Sequence, residues 1–110
     1  MGLQIYLIFP DGTDACAFSM SYTRFAAFVD FVREAETPAA AALPGAAAFR
    51  KWGGWSNADL GDIAAYLRAL FPGGISDEDF EGPWSQATQA RILASELHRG
   101  HTLGATADFF

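Results

Sequence analysis

The sequence predicts an α+β fold in which a small antiparallel sheet is covered by about three main helices. Three observations carry that prediction. An N-terminal run alternates apolar residues with a period of two, three later segments repeat them at helical spacing, and proline and glycine punctuate the boundaries.

Leu3, Ile5, Leu7 and Phe9 alternate with Gln4, Tyr6 and Ile8, the pattern of a strand whose second face is also largely covered. Pro10-Asp11-Gly12 breaks the run, and Asp14 to Met20 returns as a second strand to make a hairpin. In that returning strand Ala15, Ala17 and Ser19 fall on one side and Cys16, Phe18 and Met20 on the other. Ser21 is placed to cap a helix reaching Glu36, with Phe25, Phe28, Val29 and Val32 at i, i+3, i+4 and i+7. Thr37-Pro38 opens an alanine-rich stretch broken by Pro44-Gly45, which predicts two short helical pieces rather than one.

Ser56 and Asp59 have capping-box spacing ahead of Leu60, Ile63, Ala64, Leu67, Leu70 and Phe71, so a second strong helix runs to Pro72-Gly73-Gly74. Gly82-Pro83 leads into a third, from Trp84 to Arg99, with Ala90, Leu93, Ala94 and Leu97 as its stripe and Gly100 as its stop. The tail ends in Phe109 and Phe110, which either pack back as a third strand or stay free. A hairpin alone is marginal in water, so the helices must bury one face of the sheet.

The chain has 110 residues, a length suited to one domain. Apolar residues make up 51%, and although 21 of them are alanine, ten Phe, three Trp and three Tyr supply large buried surfaces. That excludes disorder and coiled coil. Thirteen acids against seven bases give a net charge of −6, which argues against binding nucleic acid by phosphate neutralisation. The balance is uneven, since residues 53–90 hold six acids and only Arg68 as a base. A single cysteine excludes an internal disulfide framework and a cysteine zinc site, and points to a reducing compartment. No apolar run approaches the roughly 20 residues a bilayer needs, and the opening lacks the basic flank and cleavage site of a signal peptide. These features read as a cytoplasmic protein with no membrane association.

The segment from Asp77 to Thr88 partly fits a calcium-binding EF-hand loop. Oxygen ligands belong at positions one, three and five, glycine at six and a bidentate glutamate at twelve, which here are Asp77, Asp79, Glu81, Gly82 and Thr88. Thr88 cannot supply the closing carboxylate, and Pro72-Gly73-Gly74 separates the preceding helix from the loop, so an acidic solvated turn is the simpler reading. His98 and His101 have a spacing that brings two imidazoles to one metal on a continuous helix, but Gly100 between them predicts a helix end that splays the pair. Cys16 is a nucleophile only if a histidine lies beside it, and in an alanine-flanked strand it reads instead as a small buried hydrophobe. Trp52 and Trp55 surround Gly53-Gly54 after Arg50-Lys51, either as aromatic anchors for a partner or as a lid on the core. No nucleophile elbow, phosphate-cradling loop or dinucleotide fingerprint occurs, and no cofactor is implied.

The opening Met1-Gly2-Leu3-Gln4-Ile5-Tyr6, the helix begun by Ser21 with Phe25 and Phe28, and Asp79-Phe80-Glu81-Gly82 with Ser85, Leu93-Ala94 and Leu97 together resemble a protein family. Its members are small uncharacterised bacterial and phage-associated proteins that begin MGLDIY and carry a later HSDCEGELS-like segment. The pieces cover about half the chain. The family's His and Cys fall on Asp77 and Phe80 here, so a metal or thiol role at those positions does not carry over. The resemblance implies a fold and no activity.

The leading functional expectation is a non-catalytic protein-binding module of the inhibitor, immunity or anti-defence type. Its contact residues would be Trp52, Trp55, Asp77, Glu78, Asp79 and Glu81, with the acids steering a partner that has a basic surface. A divalent-cation module built on Asp77, Asp79 and Glu81 comes second, and a small enzyme using Cys16 or the histidines third.

Overall fold

The computed structural model describes residues 2–51, 53–74 and 85–110. Strands β1 (Gly2–Ile8) and β2 (Asp14–Ser21) form the antiparallel hairpin. The tail supplies β3 (Thr106–Phe109), antiparallel to the other side of β1, so the strand order is β2-β1-β3. In the hairpin turn, Asp11 Oδ1 accepts from the Thr13 hydroxyl at 2.6 Å and the Thr13 N–H at 3.0 Å, which holds the Asp11 carboxyl below its usual pKa. Gly12 sits beside it at φ 89°, a conformation that disfavours any side chain.

One register shift reassigns the faces of β2. Ile5 pairs with Phe18 but Tyr6 pairs with Cys16, leaving Ala17 as the extra residue of a β-bulge. The alternation therefore changes parity at Ala17. Phe18 and Met20 point into the core, whereas Cys16, which simple alternation places beside them, is exposed on the opposite face. A buried cysteine was the expectation, and the bulge overturns it. The second face of β1 also differs from expectation. Gln4 is exposed, Tyr6 and Ile8 are only half-buried, and among the described residues no helix covers them.

Of the helices α1 (Tyr22–Ala35), α2 (Pro38–Ala41), α3 (Pro44–Ala48), α4 (Asn57–Leu70) and α5 (Gln86–Thr102), α1, α4 and α5 pack against the strands, while α2 and α3 pack on α4. Their starts are set by local capping. Ser21 Oγ accepts from the Arg24 N–H, Thr37 Oγ1 from that of Ala40, and Ser56 with Asp59 closes a reciprocal capping box. Proline occupies the first turn of α2 and of α3, where a missing N–H costs nothing.

Gly100 does not end α5. The helix continues to Thr102, with Leu103 as its C-cap and Gly104 following at φ 78°. Gly100 is instead a packing residue: a Cβ there would lie 2.8 Å from Leu7 Cδ2, so its bare backbone lets α5 approach the sheet. The start is likewise displaced, from Trp84 to Gln86, because the Ser85 hydroxyl accepts from the Thr88 N–H and serves as the cap.

The core lies between the sheet's inner face and the helices. Ile5, Leu7, Phe28, Val32, Leu60, Ile63, Leu67, Leu93 and Leu97 are fully buried there. Phe28 meets Phe18, Phe25 and Phe49 at centroid distances of 5.8, 6.3 and 6.5 Å. Tyr66 is buried with its hydroxyl donating to Glu36 Oε1 at 2.8 Å, and Arg50 lies 3.4 Å from the same carboxylate. Desolvation, then the hydrogen bond to Glu36, pushes the Tyr66 phenol well above its ordinary pKa.

Candidate interaction surfaces

Trp55 is buried as a lid on the core rather than displayed at the surface. It is 2% exposed, stacks on Phe49 and meets the edge of Phe109 at 4.7 Å. Its indole N–H donates to the carbonyls of Ala48 at 3.0 Å and Lys51 at 2.9 Å, satisfying the end of α3. Its backbone exchanges two 2.9 Å hydrogen bonds with Ala107, closing the free edge of β3. Burial that deep follows from serving a helix end and a sheet edge together. Trp52, Asp77, Glu78, Asp79 and Glu81 lie outside the described residues. Of the EF-like segment, Thr88 is described, and it sits in the first turn of α5 with its hydroxyl accepting from Ser85 at 3.0 Å.

His98 and His101 fall on one continuous helix, contrary to the expected splay, because Gly100 is helical. His101 is nevertheless engaged elsewhere. Its imidazole rests over Gly61, where a Cβ would meet the ring at 3.0 Å, and Nδ1 lies 2.8 Å from the Asn57 carbonyl. A carbonyl only accepts, so Nδ1 carries the proton. Asn57 Nδ2 donates back to the carbonyls of His101 and Ala105 at 3.1 and 2.8 Å. The pair thus joins the start of α4 to the end of α5. Among the described residues no group of three or more His, Cys, Asp and Glu is arranged to hold a metal.

Among the described residues the sheet's outer face carries no helix. Register places Gln4, Tyr6 and Ile8 along its centre, Ser19, Cys16 and Asp14 on one side, and Asp108 and Thr106 on the other. Phe110 continues β3 by exchanging two 2.8 Å hydrogen bonds with Gln4, and its ring meets Tyr6 edge-on at 5.3 Å. That ring is 63% exposed. A shallow hollow of about 430 Å³ lies among Gln4, Tyr6, Asp14 and Phe110. The face therefore has an aromatic centre and a polar rim that carries Asp14 and Asp108 and, among the described strand residues, no base.

A second concavity, of about 390 Å³, opens on the helical side between the first turns of α1 and the inner face of the sheet at Leu3 and Phe109. Comparison with protein-family models, with curated proteins and with solved structures finds no match.

Neither surface was singled out by the sequence. Tyr6 was legible as the wrong-parity member of the Leu3-Ile5-Leu7 strand, but nothing local shows that its face stays open. That depends on α1, α4 and α5 packing against the other side.

Proposed function

We propose that the protein is a non-catalytic protein-binding module that engages its partner through the helix-free face of the sheet. The observation that carries the reading is the exposed Phe110 ring packed against Tyr6 at the centre of a face rimmed by carboxylates. Aromatic centres desolvate well and dominate interface energies, while rim charges steer approach. Asp14 and Asp108 favour a partner with basic groups around an apolar patch, and the acids of residues 77–81 add four more negative charges to the same chain. No helix among the described residues is long and apolar enough to cross a membrane.

Cys16 supplies the test, being the only cysteine of the chain and exposed on this face opposite Tyr6. Its alkylation by N-ethylmaleimide is followed by intact mass in buffer, in dialysed lysate of the native host and in an equal mass of albumin. Slowing in the lysate alone, abolished by Phe110→Ser with the melting temperature retained, supports the reading. Equal rates in lysate and albumin refute it.

A further inference from the structure

The concavity under α1 owes its shape to one helical row. Tyr22, Ala26 and Asp30 are spaced i, i+4, i+8 and so stand one above another along the helix. Ala26, the smallest of the three, leaves a gap between a phenol ring and a carboxylate. The neighbouring row, Phe25 and Val29, forms the back of the gap, and Leu3 with Phe109 forms its floor. The lining is apolar except for Tyr22 and Asp30, both exposed, Tyr22 by 54%. Glu34 continues the row one turn beyond Asp30. Arg33 follows Val29 at i+4 and Asp30 at i+3 on the same helix, and it forms no ion pair with Asp30. Among the described residues Asp30 forms no ion pair, and no lysine or arginine lines the concavity.

We infer that this groove is a docking site for a partner peptide segment that seats an apolar side chain over Ala26 and pairs a lysine or arginine with Asp30. The inference deepens the protein-binding reading but uses a different surface, since Leu3 and Phe109 belong to the inner face of the sheet and Tyr6 and Phe110 to the outer one. Charge complementarity selects the occupant. A purely apolar segment leaves Asp30 partly desolvated without a partner, and an acidic one faces Asp30 and Glu34 together. A basic residue about one turn from the apolar anchor meets both demands, which is the spacing a helical segment supplies when it lays one face into a groove.

The test pans a random linear-peptide phage library on the intact chain and on three variants, Asp30→Lys, Ala26→Phe and Phe110→Ser. Ala26, Asp30 and Phe110, the three substituted positions, are all exposed, and circular dichroism melts verify that each variant, Asp30→Asn included, folds. The wild-type chain should enrich peptides that combine a large apolar residue with lysine or arginine three or four positions away. For the best such peptide, Asp30→Asn should weaken binding about three-fold and Asp30→Lys about ten-fold, since a rim ion pair contributes under about 1 kcal/mol and reversal adds repulsion. Ala26→Phe, which fills the gap, should abolish binding, and Phe110→Ser should leave it unchanged. Peptides without basic enrichment, or binding indifferent to Ala26→Phe, overturn the inference. Peptides lost in Phe110→Ser but kept in Ala26→Phe also overturn it while supporting the outer-face reading, so the two proposals fail separately.

Discussion

Gly45→Ala sets two physical effects against each other. Gly45 is the second residue of α3, and by helix propensity alone alanine should stabilise that position by at most about 1 kcal/mol. The tertiary structure predicts the opposite sign. A Cβ at Gly45 would lie 2.6 Å from the Asp62 carbonyl carbon and 2.7 Å from Tyr66 Cβ, both on α4, and still closer to the Asp62 carbonyl oxygen. The obstructing atoms belong to the backbone and to a side-chain root, so no rotamer change relieves them and α3 must move off α4. Overpacking of this kind costs about 1–3 kcal/mol, and a rigid neighbour places it at the upper end. Subtracting the propensity gain leaves a net loss of about 2 kcal/mol. With an unfolding entropy of about 2.1 cal/mol/K per residue, a chain of this length should melt about 9 °C lower. Gly100→Ala is the comparison, because its Cβ would meet only the side-chain ends of Leu7 and Leu60 rather than backbone, and its loss should be smaller than that of Gly45→Ala. Thermal melts by circular dichroism read both. If Gly45→Ala melts at or above the wild type, the close approach of α3 to α4 is refuted.

Phe28→Ala should cost about 3–5 kcal/mol in urea denaturation, because the ring is fully buried among Phe18, Phe25 and Phe49; a loss under about 1 kcal/mol would remove it from the core. Tyr66→Phe should cost about 1–2 kcal/mol through loss of the donor to Glu36. The Tyr66 phenol is held neutral in the folded chain while an unfolded tyrosine ionises near pH about 10, so its stabilisation is complete below that pH and is lost as pH rises above it. Melts taken from pH 8 to 11 should therefore fall less steeply above about pH 10 in Tyr66→Phe than in the wild type, and parallel curves would contradict the burial of the hydroxyl. Asn57→Asp replaces the amide that donates to His101 and Ala105 with an acceptor facing two carbonyls, and should destabilise by about 2 kcal/mol in the same melts. An unchanged midpoint would show that α4 and α5 are not joined there.

The sequence by itself determined the elements whose signals are local. Caps at Ser21 and Ser56, the apolar stripes of α1, α4 and α5, the two short helices around Pro44, and the hairpin turn all depend on residues within a few positions of one another, and all are observed. Ser56 and Asp59 satisfy each other's backbone donors whatever the rest of the chain does. What only the tertiary structure decided involves residues far apart in sequence. Cys16 turns outward because the pairing of β2 with β1 slips by one residue at Ala17. Trp55 is drawn into the core because Ala48, Lys51 and Ala107 converge on its indole and backbone, so it cannot present its ring to a partner. Gly100 reads as a helix stop by composition and acts as a contact surface because Leu7, over ninety positions away, occupies the space a side chain would need. Glycine permits both roles, and only the neighbour that fills or leaves that space selects between them.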